Sequence, residues 1–228
     1  MVPPPRWGLG DAAAGYGVAV LTTIAAVSVW VAVTGDDGIG YSVAGLLGLW
    51  FGLVGAAVVV TRRKGSGSLA ADFGLRIRGG DLGVGVVAGA VVQFALVPLV
   101  YLPLRSWIPD VDEQLSRPAR ELSGEAGSDA AFALLTVLVV VGAPLVEELF
   151  FRGLLQRALG RRFPAPVAVA GSAVAFGAVH YQPLQFPALV ALGLVLGTLA
   201  HRAGRLGPAI AAHATFNAIT MAYLVSVR

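Results

Sequence analysis

The chain has 228 residues, of which 57% are hydrophobic and only 13% are charged, and its mean hydropathy is +0.79. These values lie outside the range of soluble globular domains and predict an integral membrane protein. Cysteine is absent, which excludes disulfides, thiolate zinc sites and cysteine nucleophiles.

Apolar stretches recur along the chain, and each is long enough to cross about 30 Å of hydrocarbon as a helix. We predict an all-α fold, a polytopic transmembrane helical bundle of about seven helices in which residues 1–228 form one domain. The first helix lacks the features of a cleaved signal peptide and is expected to stay in the membrane. The predicted helices cover residues 12–34, 41–61, 82–104, 130–150 with an extension to about 159, 164–182, 186–203 and 207–226.

The two largest segments between these helices, residues 62–80 and 105–129, are too short for a second domain. The second is acidic and contains Pro109 and Pro118. Ala70–Arg78 in the first has two open interpretations. It either lies along the inner membrane surface with Phe73 facing lipid, or it is a solvated linker.

The basic residues collect at one end of the predicted bundle, which explains the pI near 9.7 without a nucleic-acid partner. By the positive-inside rule that end is cytoplasmic, so the amino terminus lies inside and the carboxyl terminus outside. The inner basic residues are Arg6, Arg62, Arg63, Lys64, Arg76, Arg78, Arg152, Arg157, Arg161, Arg162, Arg202 and Arg205, and the outer ones are Arg105, Arg117, Arg120 and Arg228. The outer acids are Asp36, Asp37, Asp110, Asp112, Glu113, Glu121, Glu125 and Asp129.

Ionisable residues inside a membrane helix are costly to bury and therefore indicate function. The fourth helix carries Glu147, Glu148 and Arg152. Glu148 and Arg152 are spaced i, i+4 with the acid first, so they can neutralise each other. Glu147 then remains as a carboxylate without a local partner, which suits a general base.

Polar residues follow on two later helices. The fifth helix carries His180, four residues after Phe176, and the seventh carries His213 and Asn217 on one face. Counted from the turn between the fourth and fifth helices, Glu147 and His180 lie at similar depths. His213 can join them only if these two helices project into the cytoplasm, and this depth comparison predicts a cavity that faces inward.

The three patterns, EExxxR, FxxxH and HxxxN, occur in this order on successive membrane helices, and together they resemble the CPBP family of intramembrane proteases. This family includes the type II CAAX prenyl endopeptidases and the bacteriocin-processing and Abi proteins. The resemblance places the motif core at residues 130–226. It implies an endopeptidase that cleaves a membrane-associated protein or peptide.

Carried over to this chain, the resemblance implies that Glu147 and His180 activate water. His213 and Asn217 would stabilise the oxyanion, while Glu148 and Arg152 organise the site. The family is also described as metal-dependent, so a divalent metal such as zinc is a possible cofactor, with Glu147, His180 and His213 as its candidate ligands. No HExxH pattern is present, and we favour water activation without a metal.

Two other protease mechanisms and two other classes of function are alternatives to this prediction. A serine mechanism could pair Ser172 with His213 but leaves both glutamates unexplained. An aspartyl mechanism lacks two intramembrane aspartates. A proton-coupled transporter would also use buried Glu and His residues, and an inactive scaffold would need none of them.

Arginine outnumbers lysine fifteen to one, which is typical of a GC-rich genome and suggests a multi-pass protein of a bacterial plasma membrane.

Overall fold

The computed structural model describes residues 6–35 and 38–227, and every regular element in these ranges is a helix. Asp36, Asp37 and Arg228, which enter the charge prediction, lie outside the described residues. The predicted all-α membrane bundle is confirmed, because six helices are long and apolar enough to span a membrane. These are α1 (Leu9–Thr34), α2 (Ile39–Lys64), α4 (Gly79–Leu104), α6 (Asp129–Leu159), α8 (Phe186–Ala203) and α9 (Gly207–Val227). The shorter helices are α3 (Leu69–Asp72), α5 (Val111–Gly124) and α7 (Ala165–Ala178).

α6 runs through the bundle and is not a uniform α-helix. It widens into π-helix at Leu138–Gly142 and again at Leu149–Leu155. Pro144 follows the first of these stretches, and its ring both lacks an N–H and crowds the carbonyl four residues earlier, which disfavours regular α-helix there. π-helical turns inside α-helices occur frequently at functional sites. In α6 they flank the Glu147–Glu148 pair on both sides.

Glycines on α8 allow this helix to pack closely against α6 and α7. A side chain at Gly193 would approach the backbone of Ala173 to 2.9 Å. The close approach brings backbone carbonyls of α8 within reach of α6 side chains. Arg152 Nη2 donates to the Gly193 carbonyl at 3.2 Å, and Gln156 Nε2 donates to the Gly197 carbonyl at 3.0 Å.

The segment between α4 and α6 contains an amphipathic helix, α5, which the sequence interpretation did not predict because Pro109 and Pro118 suggested a broken chain. Pro118 lies inside α5, where it removes one backbone hydrogen bond. The apolar residues Val111, Leu115 and Ala119 recur every four residues and form one face. This face packs against Tyr101 and Ala188 at one end and Phe132 and Met221 at the other, so tertiary contacts compensate for the proline.

The segment before α4 does not lie on the membrane surface with Phe73 facing lipid, so that interpretation is wrong. Phe73 is fully buried, with its ring centroid 4.9 Å from that of Trp7. Arg157 donates to the backbone carbonyls of Asp72 and Phe73 at 2.8 and 3.0 Å. The segment is neither a lipid-facing helix nor a solvated linker at Phe73, because it closes the basic end of the bundle.

Charged contacts join the helix ends at the basic end of the bundle. Lys64 pairs with Asp11 at 2.6 Å, and Arg161 donates to the Trp7 carbonyl at 2.6 Å. Arg205, in the turn between α8 and α9, pairs with Asp81 at 2.5 Å, and this hydrogen bond raises the pKa of Arg205 above its usual value. These contacts join five segments in two groups, one formed by the start of α1, the end of α2 and the α6–α7 turn, and the other by the start of α4 and the α8–α9 turn. Within each group the helix ends lie at one level of the bundle.

Candidate active site

Glu148 and Arg152 form a fully buried ion pair on α6. Arg152 Nη1 donates to Glu148 Oε1 at 2.8 Å, and neither side chain is exposed. This is the pair that the i, i+4 spacing predicts. The guanidinium carbon also lies 4.6 Å from the centroid of the Phe176 ring on α7, an arrangement that stabilises a desolvated cation.

His213 on α9 connects this pair to Glu147. Its Nδ1 lies 3.0 Å from Glu148 Oε1, and its Nε2 lies 3.9 Å from Glu147 Oε2. An ionised carboxylate only accepts hydrogen bonds, so Nδ1 carries the proton and donates to Glu148. Nε2 therefore faces Glu147, as an acceptor in the neutral ring and as a donor in the imidazolium.

His180 lies immediately beyond the last turn of α7, which leaves nearby backbone carbonyls without helical partners. Its Nδ1 is 2.7 Å from the Phe176 carbonyl oxygen. A carbonyl oxygen can only accept, so Nδ1 is the protonated nitrogen and Nε2 of the neutral ring keeps its lone pair. The Phe176 ring contacts both histidines, with centroid distances of 4.8 Å to His180 and 5.6 Å to His213.

Asn217 is one turn beyond His213 on α9. Its Nδ2 donates to the Val139 carbonyl at 2.8 Å, in the first π-helical stretch of α6. This bond uses one of the two amide hydrogens and orients the side chain. The second hydrogen remains for another acceptor.

Four of the six predicted site residues line one cavity of about 360 Å³. Glu148 and Arg152 do not line it, and instead lie behind its wall. The other lining residues are predominantly aliphatic. The full lining comprises Ser42, Val43, Leu46, Leu122, Leu135, Val139, Ala143, Glu147, Phe176, His180, Leu189, Leu192, His213, Phe216 and Asn217.

The cavity does not open in the predicted direction. From Glu147 it follows the α6 face formed by Ala143, Val139 and Leu135, away from the basic end. The prediction depended on α6 projecting beyond the start of α9 at the basic end, and this projection is present. Glu148 lies 11 residues before the end of α6, and its contact His213 lies six residues after the start of α9, so α6 extends about 7 Å further at that end. The extension closes the basic end instead of opening it.

The predicted metal ligands do not form a metal site in this conformation. Among the residues that the structure describes, no three His, Asp or Glu side chains are grouped to hold one ion. His213 and Glu147 are close to each other, but His180 does not join them in a group of three. The arrangement lacks the three convergent protein ligands of a catalytic zinc site.

Two features of the site were not predicted. Gln156 is buried and donates to Gly197, one turn beyond Arg152. The spacing of Glu148, Arg152 and Gln156, four residues apart in each step, is a signal that could have identified it. Ser172, considered for a serine mechanism, is fully buried outside the cavity lining and donates to the Phe151 carbonyl at 2.9 Å.

Comparison with known proteins gives one result. Residues 129–219 match the family model described as "Type II CAAX prenyl endopeptidase Rce1-like", which covers about two fifths of the chain. All six predicted site residues fall inside this segment. No curated protein and no solved structure matches the chain. The family match indicates a membrane peptidase and gives no support to a transporter.

Proposed function

Because residues 129–219 match the model of the Rce1-like family of type II CAAX prenyl endopeptidases, we propose that the chain is an intramembrane endopeptidase that uses Glu147 and His180 to activate water. One observation carries the proposal. A carboxylate, two imidazoles and an amide line a single aliphatic cavity inside a membrane helix bundle. Amide hydrolysis needs a base, a positioned water and an oxyanion donor, and these groups can supply all three.

In the proposed first step, Glu147 takes a proton from a water molecule. The water oxygen attacks the carbonyl carbon of the scissile bond at the same time. His180 supports this step because its Nδ1 is bound to Phe176, which leaves Nε2 as an acceptor for the second hydrogen of the water. A positioned general base typically contributes about 10²- to 10⁴-fold to the rate.

The attack places a negative charge on the former carbonyl oxygen, and His213 and Asn217 stabilise this charge by donating to it. Asn217 has one amide hydrogen left after its bond to Val139. His213 donates through Nε2 when the ring is an imidazolium, and this nitrogen faces the cavity side of the Glu148 bond, 3.9 Å from Glu147 Oε2. Collapse of the tetrahedral intermediate breaks the C–N bond, and the proton on Glu147 passes to the leaving amine.

Glu148 and Arg152 act as positioning residues in this proposal. Neither side chain is exposed, so neither contacts the substrate. Glu148 fixes the protonated nitrogen of His213, and Arg152 balances the buried charge of Glu148.

We propose a membrane-associated protein or peptide as the substrate, because the cavity walls are aliphatic and lie in the bilayer. The family name describes enzymes that act on prenylated CAAX proteins, and a prenylated peptide is therefore the first candidate to test.

Metal dependence is a separate point to test. Metal content of the purified protein, and hydrolysis before and after chelation, distinguish a metal-dependent enzyme from one that uses only Glu147 and His180.

The substrate can be identified by comparing membrane proteomes of cells that express the wild type or Glu147→Gln. We expect the substrate to accumulate uncleaved in the Glu147→Gln cells. Cleavage of the identified peptide is then measured in proteoliposomes with His180→Ala, and with His201→Ala as a matched control, because His201 is exposed outside the cavity. Wild-type cleavage by both Glu147→Gln and His180→Ala would refute the proposal.

A further inference from the structure

From the distribution of the cavity residues and of the charges, we infer that the active site opens toward the non-cytoplasmic side of the membrane, so that the substrate is a peptide segment presented from that side. This inference rests on the proposed function in one respect, namely that the cavity binds a peptide substrate. The orientation of the cavity stands on geometry and charge alone.

The cavity residues lie on one side of the catalytic groups. On α6 the lining begins at Leu135 and ends at Glu147, and on α2 it includes only Ser42, Val43 and Leu46, close to the start of that helix. On α9 no residue before His213 lines the cavity. Glu147 and His213 therefore form its inner end, and the cavity extends toward the start of α2 and α6.

The opposite side of Glu147 and His213 is closed. The side chains of Glu148, Arg152 and Leu154 are fully buried or nearly so. Below them, toward the basic end, Phe73 packs against Trp7, and Arg157 binds the backbone carbonyl of Phe73. Two layers of packed side chains thus separate the catalytic groups from the basic end.

The charges of the two ends differ strongly. Among the described residues outside the buried Glu148–Arg152 pair, the closed end has eleven basic and three acidic residues, whereas the open end has three basic and six acidic residues. The positive-inside rule places the closed end in the cytoplasm. At the closed end the acids are Asp11, Asp72 and Asp81, and at the open end the basic residues are Arg105, Arg117 and Arg120.

Contacts along the open end establish that its segments belong together. Tyr101 donates to the Leu184 carbonyl at 2.5 Å, and Ser42 donates to Glu125 at 2.7 Å. α5 lies across this end, with its apolar face against both α4 and α9 and with Leu122 in the cavity lining. A substrate that enters from this side passes beneath α5.

The aliphatic lining and the acidic rim define the substrate class. Leu135, Val139 and Leu192 accommodate apolar side chains next to the scissile bond. The excess of acidic residues at the open end favours neutral or basic flanking residues over acidic ones. We therefore expect a membrane-anchored or exported peptide with apolar residues at the cleavage site.

The absence of cysteine makes a direct test possible. Single variants Val43→Cys and Leu46→Cys report on the cavity, Ser106→Cys reports on the open end, and Ser66→Cys reports on the closed end. Intact cells are treated with a membrane-impermeant, charged methanethiosulfonate reagent. We expect labelling at positions 43, 46 and 106 in intact cells, and at position 66 only after permeabilisation.

Labelling at position 66 and not at 106 in intact cells would overturn the inferred orientation. Labelling at 106 without labelling at 43 or 46 would overturn access from that side. The abundance of each variant in the membrane shows whether that variant is folded and inserted. Two cavity positions are tested so that one misfolded variant does not decide the result. Because labelling does not require catalysis, the same pattern is expected in a Glu147→Gln background, and failure of the proposed function would leave it unchanged. If the function holds, cleavage sites from the proteomic comparison should map to the non-cytoplasmic side.

Discussion

Glu148 and His213 meet across the interface of α6 and α9, where Glu148 Oε1 lies 3.0 Å from His213 Nδ1. The same oxygen accepts from Arg152 at 2.8 Å. A single buried oxygen atom therefore links the stability of the helix core to the orientation of a histidine in the cavity. Substitutions here should affect folding and hydrolysis in separable ways.

We expect Glu148→Leu to destabilise the protein by about 3–5 kcal/mol, because it leaves Arg152 buried without its counter-ion. Thermal unfolding in detergent measures this effect. The double variant Glu148→Leu/Arg152→Leu should recover most of the stability, since it removes both charges. Hydrolysis should remain at least about tenfold below wild type, because His213 loses the carboxylate that holds its tautomer and orientation. Full recovery of activity in the double variant would contradict the positioning role.

Asn217→Ala should lower kcat by about 10²- to 10³-fold with a small change in KM, because an oxyanion donor acts mainly in the transition state. Steady-state kinetics on the identified peptide test this. Thr220→Val is the matched control, because Thr220 lies on the same helix and donates to the carbonyl of Phe216, four residues earlier in that helix. An equal loss in the two variants would instead indicate a packing role for this part of α9.

Gly193→Ala should destabilise the protein by about 1–3 kcal/mol, because the new methyl group overlaps the backbone of α7. The added Cβ would lie 2.9 Å from Ala173, and displacement of α8 would also lengthen the Arg152 bond to the Gly193 carbonyl. Gly17→Ala on α1 is the control, since no atom lies within 4 Å of its added Cβ. Unfolding temperatures in detergent distinguish the two. Equal stability of both variants would mean that the α7–α8 contact can relax.

Phe73→Ala should lower stability by about 3 kcal/mol or more, the loss expected when a buried aromatic ring is removed. Phe51→Ala is the comparison, because Phe51 is 75% exposed on α2 and faces the surroundings of the bundle. The measurement is the unfolding midpoint of each variant in the same detergent. A Phe73→Ala variant as stable as Phe51→Ala would show that the closed end does not depend on this ring.

Leu122→Trp should raise KM more than it lowers kcat, because the larger side chain narrows the cavity away from the catalytic groups. The substrate peptide identified by proteomics provides the assay. Leu99→Trp on α4 is the control, because Leu99 is exposed and does not line the cavity. A fall in kcat alone would argue against substrate passage beneath α5.

Some properties of this protein could be predicted because they depend on neighbouring residues. The length of apolar runs defines the membrane helices, and the i, i+4 spacing brings Glu148 and Arg152 together on one helix. The charge asymmetry predicts the orientation of the bundle in the same way, since this prediction requires only that loops alternate between sides. α5 was missed because Pro118 disfavours an isolated helix, and only contacts with Tyr101 and Met221 make it stable.

The sequence by itself determined the membrane bundle and the polar residues within it, since these follow from local hydropathy and helical spacing, and its charge pattern predicts the orientation of the bundle. Only the tertiary structure decided how the polar residues divide, with Glu147, His180, His213 and Asn217 in the cavity and Glu148 and Arg152 behind it. It also decided that the cavity opens away from the basic end. Both results depend on contacts between residues far apart in the chain, such as the bond between Glu148 and His213, 65 positions apart, and no local pattern encodes the space left between packed helices.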